Sequence, residues 1–335
     1  MALGLLHVHT WVREPGSLTQ PKDTARPIEE KESVRWIDGF ARVNALAEQL
    51  PETRLTYIAD READIYELFV EAPSPDAGAD WLVRGQHDRV LGQDAEGNPE
   101  ALRQRLAHAP VLTETGFDQP GGNGRTARTV HQQIKAGRLK LSAPYRRDRT
   151  LAEIEITAIL ATERQPPPGE DAVEWLLLTN LPVTTPEPAL EILSGYLCRW
   201  QIAIFFRIPT SGCCIEALQL EKRERLEPAL ALYLIIAWRV LLLTMLGRAC
   251  PEMPGDVVFD QAEWQGVSLV TQRQPPPEIP PSLDQMVRRV AGLGGFLNRN
   301  HDGFPGPQTI WIGLQRAADF VLAEAQRTAD GGSCG

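Results

Sequence analysis

Residues 189–210 read ALEILSGYLCRWQIAIFFRIPT, and their spacing decides how the rest of the chain is read. At a helical period, Tyr196, Arg199, Ala203, Arg207 and Thr210 fall on one narrow stripe of a predicted helix. Leu193, Leu197, Trp200, Ile202, Ile204, Phe205, Phe206 and Ile208 occupy the other faces, so the helix is expected to be buried on most sides. Two guanidiniums and a phenol in line on such a helix point to an anionic partner. Alanine stands in the middle of that line, where a third polar group would fit. Pro209 lacks a backbone donor and disfavours helical geometry at Ile208, a cost of roughly 3 kcal/mol if the helix were to continue.

The second informative stretch is RLTYIADREADIYELFVEA, residues 54–72. Leu55, Tyr57 and Ile58 predict a short strand that delivers Asp60 at its carboxyl end, followed by a helix from Ala63 to Val70. Ligands collect at the carboxyl ends of strands in open α/β sheets. Asp60, Glu62 and Asp64 place three acids within five residues at a helix start. Two readings stay open on spacing alone: Asp60 as an N-cap with the others favoured by the helix dipole, or an acidic site.

The pattern Tyr196-x2-Arg199-x3-Ala203-x6-Thr210 resembles the Y-x2-R-x3-E-x6-K signature of DDE-type insertion-sequence transposases, with alanine for the glutamate and threonine for the lysine. Asp60-Arg61-Glu62-Ala63-Asp64-Ile65 is similar to the motif around the second catalytic aspartate of the same family, in the same order along the chain. The resemblance implies an α/β, ribonuclease-H-like mixed sheet with flanking helices, a β-strand insertion and a helical C-terminal subdomain. It divides the chain into residues 1–80 with 186–250 as the catalytic core, 81–185 as the β-rich insertion and 251–335 as the helical subdomain.

By the same resemblance, Asp60 is a catalytic metal ligand and Ala203 occupies the family's glutamate position. Tyr196, Arg199, Arg207 and Thr210, at the lysine position, would face double-stranded transposon-end DNA. Trp175 falls where related transposases stack a tryptophan on a flipped base; a core tryptophan on an apolar strand is the competing reading. The family cuts and joins DNA with two metals held by three carboxylates, and oxygen ligation suits Mg2+ or Mn2+. One carboxylate of three supplies too little ligand charge, so strand transfer by this chain alone is not expected. The first strand, with its aspartate, is expected to be missing from the N-terminus, as in a truncated remnant.

Composition bounds these expectations. The chain has 335 residues, 43% of them hydrophobic, enough for a large core. A net charge of -10 confines any DNA contact to a local surface. The 5 cysteines form no C-x-x-C pair, and no signal peptide opens the chain; reduced, cytoplasmic thiols follow. Residues 229–246 are nearly continuous apolar sequence, but Arg239 near their centre favours a buried helix over a membrane span.

Along the remainder, residues 3–13 alternate like a strand, and Ser33 precedes an amphipathic helix ended by Pro51. Residues 81–185 are strand-rich, with a helix only near 100–106. This block holds Arg125, Arg128, Lys135, Arg138, Lys140, Arg146, Arg147 and Arg149, the most basic part of an acidic chain and a candidate phosphate-binding surface. Residues 272–282 form a proline-dense spacer, and 283–297 and 310–325 read as helices similar to the family's dimer-forming C-terminal region. The functional alternative is a DNA-binding or dimerising regulator that titrates full-length transposase. A third reading is an unrelated metal hydrolase using Asp60, Glu62 and the N-terminal histidines, His7 and His9.

Overall fold

The structure is a computed structural model that describes residues 2–11, 26–71, 78–93, 97, 99–119, 127–220 and 222–331. It divides into two compact units, residues 6–199 and residues 200–335 with 1–5.

The first unit is built on a six-stranded mixed sheet in the order β1-β2-β8-β7-β6-β5. Its strands are β1 (Thr56–Ala59), β2 (Asp80–Arg84), β5 (Thr113–Gln119), β6 (Arg128–Leu141), β7 (Ile154–Glu163) and β8 (Glu174–Thr179). β1 and β2 are parallel and the other neighbours antiparallel. A small hairpin, β3 (Val90–Gln93) with β4 (Pro99–Ala101), stands beside it.

Strand period dictates how the sheet is covered. Trp81, Val83, Ile156, Ala158, Leu160, Leu176 and Leu178 face one side, where α1 (Val34–Gln49), α2 (Tyr66–Glu71) and α3 (Leu102–His108) pack. Their alternates Leu82, Ile159, Ala161, Trp175 and Leu177 face the other side and bury Ala189, Ile192, Leu193 and Tyr196 of α4 (Pro186–Leu197). A mixed sheet with helices on both faces is consistent with the ribonuclease-H-like class expected from the sequence.

The second unit is helical: α5 (Trp200–Arg207), α6 (Arg223–Ala249), α7 (Gln261–Gln272), α8 (Leu283–Leu293) and α9 (Pro307–Gly331). Its core joins Leu234, Ala237, Val240 and Leu241 of α6 to Trp264 and Val267 of α7, Met286, Val287 and Val290 of α8, and Ile310 of α9. Both α7 and α8 start with complete capping boxes, Asp260 with Glu263 and Ser282 with Gln285. Arg239 is accommodated in apolar α6 because both oxygens of Glu263 accept from it at 2.7 Å.

Several expectations are corrected. Residues 189–210 are not one unbroken helix: α4 ends at Leu197, and the amides of Cys198 and Arg199 bond three residues back, to Gly195 and Tyr196. Gly195 in the last turn is a weak helix former, and the tightened turn separates the two segments. α5 is also far less buried than its composition predicts. Phe205 and the adjoining Ile208 are buried, whereas Trp200, Ile202, Ile204 and Phe206 are each at least 50% exposed. Pro209 does not keep Ile208 out of helical geometry: α5 ends at Arg207, and the chain goes on as a wide π-helical turn, Ile208–Gly212, in which the Cys213 amide donates to the Ile208 carbonyl at 2.8 Å.

Residues 2–11 pair with no strand among the described residues; Leu3, Leu5, Leu6 and Val8 are exposed, and alternation without a partner edge does not make a sheet. Residues 12 and 13 of that stretch, Arg125 and the glycines at 121 and 122, and Cys334 lie outside the described residues. The expected helix from Ala63 is delayed to Tyr66 by the turn at Arg61–Ala63. α6 begins at Arg223, so Pro228 lies inside its second turn and not at its start. Two stretches, Pro186–Gly212 and Arg223–Ala249, are long and apolar enough to cross a membrane by length and composition.

Candidate functional site

The parallel pairing of β1 and β2 ends with Ala59 opposite Val83. Asp60 and Arg84 are the next residues on each strand, so an acid and a guanidinium leave the sheet from adjacent carboxyl ends. The Asp60 backbone is extended, and its carboxylate accepts the amide of Glu62 at 2.9 Å, capping the turn Arg61–Ala63. The turn in turn holds Arg61 at the same strand end.

Arg84 is the half-buried cation at this strand end. Its pKa is lowered from the usual guanidinium value by burial, and further by the charges of Arg61 and Arg199; the Tyr196 side chain beside it acts in the opposite sense. It donates to the backbone carbonyl of Glu174 at 3.2 Å. The Arg199 guanidinium lies 5.6 Å from the Tyr196 ring centre. The positive charges of Arg61 and Arg199 thus act on the half-buried Arg84 guanidinium in the same sense as its burial.

Tyr196 is 1% exposed and Trp175 6%. Trp175 stacks on Phe117 at 4.9 Å and meets Tyr196 edge-on at 5.9 Å, inside the core on the α4 side of the sheet. Of this aromatic pair, the Tyr196 ring lies under the Arg199 guanidinium. Arg61 and Arg84 were missed in the sequence. For Arg84 a signal existed: it ends the apolar run Trp81-Leu82-Val83 just as Asp60 ends its own strand.

The neighbouring acids have other work. Glu62 pairs with Arg35. Asp64 is buried and accepts the amides of Gln86 at 2.7 Å and His87 at 2.8 Å, Arg89 Nε at 3.1 Å, and Arg89 Nη2. His7 and His9 have ring centres 6.4 Å apart. Among the described residues no group of three His, Cys, Asp or Glu side chains is placed to hold a metal ion. Asp64 has its oxygens filled by N–H donors, whereas Asp60 spends one oxygen on the Glu62 amide, and position 203 is alanine.

Ala203, Arg207 and Thr210 belong to the second unit. Ala203 and Arg207 are exposed on α5, and the Thr210 hydroxyl donates to the carbonyl of Phe206 at 2.9 Å. The basic block of the β-rich region is largely neutralised internally. Arg128 pairs with Glu163 and Glu170, Arg138 with Glu155, Lys140 with Glu153, Arg146 with Glu67, and Arg149 with Glu29. Lys135 donates to the Ala107 carbonyl. The phosphate surface expected there from charge counting is thus matched by carboxylates.

A family model described as the Transposase Tn5 dimerisation domain matches residues 235–333. The matched span runs from the middle of α6 through α9, the same helices that share one hydrophobic core. The match supports a transposase relationship for this chain and the formation of a homodimer.

Proposed function

We propose that this chain is a dimeric, transposase-derived protein of the DDE insertion-sequence group that binds duplex transposon-end DNA and carries out no strand transfer by itself. The observation that carries the reading is Arg84 at the carboxyl end of β2, beside the strand end that carries Asp60 and Arg61, with Tyr196 and the Arg199 guanidinium over its ring among the groups that act on Arg84. Positive charge concentrated at strand ends suits a phosphodiester backbone, and an otherwise acidic surface restricts the contact to that place. Tyr196 and Arg199 are two of the residues that the signature assigns to DNA.

Catalysis by the family's Mg2+ or Mn2+ chemistry lacks its ligands here, with Ala203 where the signature has glutamate. The test is fluorescence anisotropy of a labelled duplex oligonucleotide against salt concentration, with the chain in its native dimeric form. Binding that weakens steeply with salt supports the reading; no binding at low salt overturns it.

A second reading is favoured by the dimerisation-domain match: the chain pairs with an active transposase subunit and withdraws it from productive synapsis. Co-purification of a full-length family transposase with this chain, lost on disrupting α8 and α9, distinguishes that role from DNA binding alone.

A further inference from the structure

Asp64 sits at the exit of the turn that holds Asp60 and Arg61, and its side chain is wholly buried. Its carboxylate reaches across to the segment that follows β2. The amides of Gln86 and His87 donate to one oxygen, and Arg89 to the other. Arg89 also donates to the Asp64 backbone carbonyl at 3.0 Å, and its guanidinium lies 5.2 Å from the Phe69 ring centre. Between these anchors, the Gly85 amide donates to the Leu176 carbonyl of β8 at 2.7 Å. Arg84, at the end of β2, therefore leaves the sheet into a segment fixed on its far side by one carboxylate.

Such a burial of charge is stabilising only when every lone pair is used, and here four N–H donors converge on it. The arrangement couples the two strand-end segments that carry Arg61 and Arg84. A solvated N-cap, the bland role that the sequence allows for an acid in this stretch, would require none of it. We infer that Asp64 is a positioning residue, tying the turn that carries Arg61 to the segment that follows Arg84 so that both guanidiniums are held at the strand ends for one bound polyanion.

This inference rests on the DNA-binding reading for its functional consequence, and its test separates the two. The full chain is compared with Asp64→Asn, Arg84→Ala and the double variant by hydrogen exchange and by anisotropy with a labelled duplex oligonucleotide. Asp64→Asn keeps the shape but places an NH2 group where acceptors are needed.

The expected exchange result is loss of protection at Gln86 and His87 with protection retained at Leu176–Leu178. The expected binding result is a loss of roughly tenfold for Asp64→Asn, the size seen when hydrogen bonds supporting an ion-binding group are removed, and a combined loss with Arg84→Ala that is clearly smaller than the product of the two single losses. Retained protection at Gln86 and His87, or a loss that adds in full to that of Arg84→Ala, overturns the inference. If the exchange result holds while the unsubstituted chain fails to bind duplex, the DNA reading falls and the positioning of the segment stands. A parallel melting curve corrects each affinity for the folded fraction, and Asp64→Glu, which keeps the charge, is expected to recover part of the binding.

Discussion

Asp60 and Arg84 emerge side by side from the only parallel pair of the six-stranded sheet, one residue beyond the partnered Ala59 and Val83. The acid closes a turn and the guanidinium joins a cluster of like charges. On the proposed reading, this division of labour suits the strand ends to an anion. It also sets the predictions that follow.

Restoring the missing carboxylate should not restore a metal site. Ala203 is exposed on α5, so Ala203→Glu is expected to change stability by less than about 0.5 kcal/mol. Calorimetric titration with Mn2+ should show no difference from the unsubstituted chain. Micromolar binding by the variant that disappears with Asp60→Ala would show that Asp60 is available as a ligand after all.

The basic residues of the β-rich region divide from those at the strand ends. Arg138 and Lys140 each pair with an acid on the neighbouring strand segment, Glu155 and Glu153. Arg138→Ala and Lys140→Ala should therefore leave duplex affinity within about twofold and the salt slope unchanged. A slope reduced by one for either variant would place the phosphate contact on the hairpin face.

The helical unit depends on a close crossing. A methyl group on Gly313 of α9 would come within 1.9 Å of the Val290 carbonyl oxygen, and one on Gly294 within 1.9 Å of the Thr309 carbonyl oxygen. Backbone obstructs both, so either alanine forces α8 and α9 apart at a cost of about 1–3 kcal/mol or more. Gly292 meets nothing within 4 Å, and Gly292→Ala should stabilise by roughly 0.5–1 kcal/mol through helix propensity alone. Thermal melting of the three variants checks the opposite signs; loss of the dimer is expected to accompany the first two.

Acid should unfold the first unit through its buried carboxylates. Burial opposes ionisation of Glu67 and of Glu163. The hydrogen bond from Arg146 to Glu67, and those from the Val173 amide and Arg128 to Glu163, outweigh it and hold both pKa values below 4.5. A carboxylate whose folded-state pKa is depressed contributes its stability in full above the unfolded value and loses it as pH falls through the folded one. Melting temperature should thus be flat from pH 7 to about pH 5 and then fall as these groups protonate. Glu67→Gln should be less stable near neutrality and show a shallower acid limb; an unchanged limb would remove the Glu67–Arg146 pair from the explanation.

Much of this arrangement was legible in the sequence. The strand that delivers Asp60, the helix after Ser33, the strand-rich centre and the two final helices all follow from period and punctuation, because those patterns record which face is buried. The tight turn at Cys198 and Arg199 was not, since an unbroken apolar period hides a local change of hydrogen bonding and only Gly195 hinted at it. The neutralisation of Arg138 and Lys140 depends on strand register, which composition does not carry. Trp175 admitted two roles, and the structure places it in the core against Phe117 and Tyr196. Arg84 carries little signal of its own, because a base at the end of an apolar strand is also the ordinary way for a strand to meet solvent.

The most direct test of the central claim is the salt dependence of duplex binding by the native chain compared with Arg84→Ala and Arg61→Ala. The account predicts that each substitution weakens binding and lowers the slope of log affinity against log salt by about one, without loss of folded structure. Unchanged affinity and slope in both variants would contradict it, because the cations at the strand ends would then be holding no phosphate.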